Sequence, residues 1–145
     1  MKPNTNQILG LSAARLLGEV LPQLPTQFAQ GSTSLMAFLL MFSAQEAESG
    51  VEIRVNENAA MRELFGDLAS LSTDVALKSN LEEASRSKNA SLKTSDLDAA
   101  NYELLRLLIA LQTEIYAMHG KKARAAEKRI WRGMKEEVDA RVVKI

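Results

Sequence analysis

The chain has 145 residues, enough for about one domain with a buried core, and its composition of 46% hydrophobic and 25% charged residues excludes wholesale disorder. It has no cysteine, which excludes disulfides, thiolate nucleophiles and zinc fingers, and its longest apolar run, Leu35–Phe42, is far shorter than the ~20 residues of a membrane span. The net charge is zero, but residues 1–120 carry nine Lys and Arg against fourteen Asp and Glu, and residues 121–145 carry nine against four. With no signal-peptide pattern, we predict one cytoplasmic domain over residues 1–145 and no membrane partner.

The first third of the chain predicts two helices joined by a loop. Apolar residues share one face from Asn6 to Leu21, where Pro22 ends the first helix. Residues 22–34 have loop composition, and a second helix is expected from Ser34 to Glu48 with Gly50 as its stop. Because this helix begins with the apolar run, its first half is expected to be buried.

A short stretch after the second helix has the period of a β-strand. Val51, Ile53 and Val55 alternate with charged residues, but no second run with this pattern exists to pair with them. We therefore predict an extended connector, or a strand that pairs with its own copy across a dimer. A third helix is expected from Asn56 or Asn58 to Ser72, then a weaker fourth from Asp74 to about Ala84 and a polar loop.

The stretch from Leu97 to Met118 predicts a long helix with two apolar faces, whose start is marked by the cap-forming residues 94–96. One sector of the helical wheel, roughly 100° wide, is the expected core contact: Leu97, Ala100, Leu104, Leu107, Leu108, Leu111, Ile115 and Met118. A second sector, around 140° away, holds Tyr102, Leu105, Ile109 and Tyr116. Either neighbouring helices of the same chain cover this second face, or another copy or a partner does.

Residues 121–145 predict a basic amphipathic helix that packs on the bundle or projects from it. Its apolar residues recur every four positions and form a narrow seam with Trp131 beside it: Ala126, Ile130, Met134, Val138 and Val142. One basic patch suggests that the helix binds nucleic acid: Lys121, Lys122, Arg124, Lys128 and Arg129. Four acidic residues lie on the same segment, so a solvated or docking helix is favoured over nucleic-acid binding.

The sequence contains no motif for catalysis. The phosphate-binding patterns GxxxxGK[ST] and GxGxxG are absent, and one histidine without cysteine leaves only an all-carboxylate metal site. Glu63 and Asp67 share a helix face at i and i+4, but no second acidic pair accompanies them. We therefore expect no cofactor, no metal and no enzymatic activity. The alternative is a ligand-binding or enzymatic pocket between the second, third and fourth helices, with Glu63, Asp67 or His119 as its polar groups.

These patterns predict an all-α fold, an antiparallel up-down bundle of four to five helices with a long C-terminal helix or helix pair. The favoured function is a protein-interaction module that self-associates as a dimer or binds a helical partner. Its expected interface is Tyr102, Leu105, Ile109, Tyr116, Ile130, Trp131, Met134 and Val138. Ligand binding is the second hypothesis, and nucleic-acid binding through the basic helix is the third.

Overall fold

The computed structural model describes residues 3–142 and confirms the all-α prediction. Within this range there is no β-strand, and the five α-helices are α1 Thr5–Arg15, α2 Gln27–Leu68, α3 Val75–Arg86, α4 Thr94–Ala117 and α5 Lys121–Ala140. Shorter helical segments follow α1 and α2: a π-helix, Leu16–Val20, and two 3-10 turns, Leu21–Gln23 and Ala69–Leu71. The described chain divides into two compact units, unit 1 over residues 3–51 and unit 2 over residues 52–142. The single domain over residues 1–145 stays a prediction.

Helix α2 spans the second predicted helix, the predicted connector and most of the third predicted helix. The loop expected over residues 22–34 is wrong beyond Thr26, because α2 begins at Gln27. Neither Gly50 nor the alternation over residues 51–55 interrupts the helix, so the predicted connector and the strand pairing between copies are wrong as well. A glycine inside a helix costs only about 1 kcal/mol relative to alanine, which tertiary packing readily outweighs.

The polar side chain of Asn58 explains why a helix start at Asn56 or Asn58 is wrong. Asn58 is fully buried, and its amide nitrogen donates to the backbone carbonyl of Leu97 at 3.1 Å. Its side-chain carbonyl accepts from the amide of Asn101 at 3.0 Å. A capping asparagine would instead accept from an N–H at the start of its own helix. The residue that resembles a cap therefore joins α2 to α4.

Unit 2 has a hydrophobic core to which α2, α3, α4 and α5 all contribute. Its buried members are Met61, Leu64, Phe65, Leu68, Ala69, Leu81, Leu104, Leu108, Leu111, Ile115, Ala126 and Ile130. The α4 face predicted to be the main core contact is the one that enters this core. Residues 94–96, expected to cap α4, lie in its first turn instead, and Lys93 precedes the helix without a side-chain cap.

Ion pairs between α2 and α5 define their relative direction in unit 2. The guanidinium of Arg129 lies 4.0 Å from the carboxylate of Glu63 and 3.6 Å from that of Asp67. Arg141, the residue that follows α5, binds Glu57, which precedes Glu63 on α2. The two helices are therefore antiparallel, as predicted.

The tight turn between α4 and α5 depends on a glycine. Gly120 has a φ of 111°, a conformation that residues with a Cβ atom rarely adopt. After this turn, α5 buries Ala123, Ala126 and Ile130. Residues 121–140 therefore pack within unit 2 rather than projecting from it, while residues 143–145 of the predicted helix lie outside the described range.

Unit 1 pairs α1 with the N-terminal part of α2. The side-chain amide of Asn6 on α1 donates a hydrogen bond to the carboxylate of Glu48 on α2. The buried hydrophobic residues of this unit are both alanines, Ala13 and Ala37, which occupy little volume. The expectation that the apolar run of α2 is buried is therefore wrong: the exposed large side chains in this run are Leu35, Met36, Phe38, Leu39 and Phe42.

A carboxylate on α4 holds the segment that precedes α3. Glu114 accepts hydrogen bonds from the hydroxyls of Ser72 and Thr73 at 2.5 and 2.7 Å, and from the backbone N–H groups of Thr73 and Asp74 at 2.6 and 3.3 Å. These bonds, led by the one from Ser72, lower the pKa of Glu114 from its ordinary value of 4.5 to about 2. The carboxylate therefore stays ionised in the folded protein under acidic conditions.

Replacing Glu114 with glutamine should make unit 2 less stable at neutral pH and its stability less sensitive to acid. Between pH 4.5 and about 2 the unfolded chain binds a proton that folded Glu114 does not, so the stability it contributes is lost as the pH falls. We expect the variant to lose about 1 kcal/mol of unfolding free energy at neutral pH. Urea unfolding at several pH values measures both effects. The control is Glu103→Gln, which changes an exposed carboxylate of α4 that lies 3.8 Å from Arg106, and it should change stability by less than about 0.5 kcal/mol.

Candidate interaction surface

The second apolar face of α4 lies exposed on unit 2. Four residues form it, here named the α4 stripe, and their exposed fractions are 63%, 37%, 63% and 54%: Tyr102, Leu105, Ile109 and Tyr116. Their spacings of three, four and seven residues are those of the contact seam of a coiled coil. The helices of the described chain bury the opposite face of α4 and leave this one uncovered.

An aromatic residue of α5 extends the α4 stripe. Trp131 is 51% exposed, and its indole Nε1–H donates to the hydroxyl of Tyr116 at 3.3 Å. Near the other end of the stripe, the guanidinium of Arg106 lies 5.9 Å from the ring centroid of Tyr102. Tyrosine, tryptophan and arginine are the residues most enriched among those that dominate binding energy in protein interfaces.

The other residues predicted for the α5 seam lie in different environments. Ile130 is only 1% exposed and belongs to the core of unit 2, and Met134 packs partly buried against that core. Val138, in contrast, is 66% exposed. Of this predicted group, Trp131 and Val138 are accessible to a partner, and Ile130 is not.

A second exposed apolar face, which sequence reasoning missed, lies on unit 1. Four residues of α2 form it, here named the α2 stripe: Phe28, Leu35, Leu39 and Phe42. The neighbouring side chains of Met36 and Phe38 are also exposed and widen it. The signal that could have found this face is the seven-residue interval from Phe28 to Leu35 to Phe42, the heptad of a helix seam. None of the helices over residues 3–142 combines the length and apolar character needed to cross a membrane.

The polar residues of the enzymatic alternative lie in different surroundings. Glu63 and Asp67 share a face, as predicted, but both lie within 4.0 Å of the Arg129 guanidinium. His119 is exposed between α4 and α5. Among residues 3–142 no group of three or more histidine, aspartate and glutamate side chains is arranged to hold a metal ion.

A groove of about 150 Å³ lies between α2 and α5 in unit 2, lined by Ile53, Asn56, Glu57, Ala60, Gly133, Glu136, Glu137 and Ala140. Burial, and next the charge of Glu57, raise the pKa of Glu137, whereas Arg141 opposes them. Ligand pockets usually enclose roughly 300–1,000 Å³, so this groove is small for an organic ligand. A larger hollow of about 600 Å³ is lined only by α3 and the residue after it, and one helix face does not enclose a ligand.

The basic residues proposed for nucleic acid are not equivalent. Lys121, Lys122, Arg124 and Lys128 are exposed, whereas Arg129 is half-buried beside Glu63 and Asp67. Acidic residues of α2 therefore already engage part of this patch.

No protein-family model, curated protein or solved structure matches the chain.

Proposed function

We propose that the protein is a non-enzymatic helical interaction module that self-associates through the α4 stripe and Trp131. The observation that carries this proposal is the exposure of four apolar residues at coiled-coil spacing, on a helix whose opposite face fills a core. Contiguous apolar surface of this kind marks interaction sites in folded proteins. The five side chains expose on the order of 500 Å², and each partner in a standard interface buries about 800 Å² once its polar rim is included.

A second copy of the chain is the partner that suits the α4 stripe. The stripe is symmetric about Ile109, because Tyr102 and Tyr116 lie seven residues to either side of it. Two α4 helices packed antiparallel on a two-fold axis at Ile109 would place a tyrosine of one copy beside a tyrosine of the other. Tyrosine pairs of this kind bury large rings while their hydroxyl groups stay near water.

Replacing Ile109 with glutamate should weaken this contact more than ~100-fold in Kd, because a carboxylate buried without a partner costs about 3–5 kcal/mol. Trp131 is the only tryptophan of the chain, so its fluorescence reports burial of the surface directly. In the wild-type protein we expect the emission to shift to shorter wavelength as the concentration rises into the micromolar range. In the Ile109→Glu variant that shift should be absent.

Val75→Glu is the matched control for this experiment. Val75 is 83% exposed in the first turn of α3, where a carboxylate is favourable, so this variant should keep the concentration-dependent shift. Light scattering on the same samples gives the mass at each concentration. A wild-type emission that does not depend on concentration, or a shift that persists in the Ile109→Glu variant, would reject the proposal.

A further inference from the structure

The α2 stripe repeats the design of the α4 stripe on a different part of the chain. Phe28, Leu35 and Phe42 are seven residues apart, in the order aromatic, aliphatic, aromatic. The α4 stripe has the same order and the same interval, centred on Ile109. At 100° per residue, the four members of the α2 stripe fall within a sector of roughly 60°, so they form one narrow face of the helix.

The exposed apolar area of this face is large enough for an interface between two copies. The stripe residues are 86%, 60%, 54% and 42% exposed, and the flanking Met36 and Phe38 are 57% and 40% exposed. Together the six side chains expose on the order of 600 Å². A standard interface buries about 800 Å² per partner, somewhat more than half of it apolar, so these side chains supply the whole apolar share.

The charge pattern around the α2 stripe favours a second copy as its occupant. No Asp, Glu, Lys or Arg occurs over residues 20–45. Across a two-fold axis, each charged residue near the axis lies beside the same residue of the other copy, so like charges repel. A face without charged residues avoids this repulsion. A helix that binds a membrane surface usually carries several Lys or Arg residues on its polar face, which this segment lacks.

We propose that two copies of the chain pack their α2 stripes against each other, antiparallel and centred on Leu35. This contact is separate from the one proposed for the α4 stripe. A chain that uses both has two self-complementary surfaces and forms an assembly larger than a dimer. The size of that assembly rests on the proposed function, whereas the α2 contact does not.

Multi-angle light scattering of four full-length proteins tests the proposal. The proteins are the wild type, Leu35→Glu, Ile109→Glu and the double variant, all at the same micromolar concentration. We expect an assembly larger than a dimer for the wild type, a dimer for each single variant and a monomer for the double variant. A Leu35→Glu protein with the mass of the wild type would overturn the α2 contact. If instead Ile109→Glu has the wild-type mass and Leu35→Glu is monomeric, the proposed function fails and the α2 contact stands.

Mixing the two single variants identifies a different arrangement, in which the α2 stripe of one copy binds the α4 stripe of another. Each single variant would then be a monomer, and an equal mixture would form a dimer from the one intact stripe on each. That result would overturn the self-pairing of the α2 stripe. The self-pairing proposed here predicts dimers in each separate sample.

Two further proteins guard against misfolding as the explanation. Ala47→Glu adds the same charge at an exposed position of α2 outside the stripe and should keep the wild-type mass. Phe28→Ser changes the most exposed member of the stripe and should lower the mass without loss of helical circular dichroism. Vesicles of anionic phospholipid test a membrane as the alternative occupant. The proposal would be overturned if the wild-type protein bound these vesicles, Leu35→Glu did not, and the mass of the assembly did not depend on the α2 stripe.

Discussion

Replacing Leu81 with alanine should lower the unfolding free energy of unit 2 by about 2–5 kcal/mol. Leu81 is 0% exposed, at the point where α3 enters the core. The substitution removes apolar surface from this core and leaves a cavity that the surrounding helices fill only in part. Since folded domains are stable by only about 5–15 kcal/mol, this is a large fraction of the total. Thermal unfolding should show a fall in Tm of at least ~8 °C.

Leu92→Ala is the matched control, because it makes the same chemical change at a residue that is 67% exposed in the loop before α4. Its effect should stay within about 0.5 kcal/mol. Equal losses in the two variants would contradict the placement of α3 in the core. Neither residue belongs to the α2 stripe or the α4 stripe, so the two variants test folding without changing the surfaces proposed for association.

Helix α4 could be predicted from the sequence because its pattern is long and regular. The apolar residues at Leu97, Leu104 and Leu111 recur at intervals that only a helix places on one face, and no proline interrupts them. The same wheel separated Tyr102 and Ile109 onto another sector, which the structure leaves exposed. The regular spacing of α4 therefore allowed both of its apolar faces to be predicted.

The continuity of α2 through residues 50–58 could not be predicted in the same way, because the local signals there conflict with the tertiary contacts. Gly50 and the alternation after it are typical of a helix end and a strand, yet both lie inside a helix. Asn58, a few residues later in the same helix, is hydrogen-bonded to Leu97 and Asn101, about 40 residues away in sequence. Helix propensity is a weak prior, and tertiary contacts of this kind override it.

The α2 stripe was missed because an apolar run does not reveal which of its sides is covered. We predicted burial of the run Leu35–Phe42 from its composition alone, whereas the structure buries Ala37, leaves Leu40 and Met41 half-buried and exposes the other large side chains. Ala37 and Ala44 lie on the side of the helix opposite the stripe, with the half-buried Leu40 and Met41 to either side of them. Composition alone therefore does not show that one side of this apolar run is covered and the other exposed.

Replacing Arg141 with alanine should destabilise unit 2 by about 3 kcal/mol. Glu57 is 5% exposed, and the Nε and Nη2 of Arg141 donate to its two carboxylate oxygens at 2.5 and 2.6 Å. Removing the guanidinium leaves a buried carboxylate without this partner, a change that typically costs about 3–5 kcal/mol. The lower end applies because the Arg141 side chain is 52% exposed and water can reach the vacated position. Arg141→Lys keeps the charge but not the paired geometry, so urea unfolding should show a smaller loss.

The loss caused by Arg141→Ala should also grow as the pH rises. Burial, and next the charge of Glu57, raise the pKa of Glu137, while Arg141 acts in the opposite direction. Without Arg141 the pKa of Glu137 rises further, so the folded protein binds a proton over a pH interval in which the unfolded chain has released it. Stability then falls with increasing pH across that interval, and the variant should lose more at mildly alkaline than at mildly acidic pH. A pH-independent loss, measured by urea unfolding of both proteins, would contradict this effect of Arg141 on Glu137.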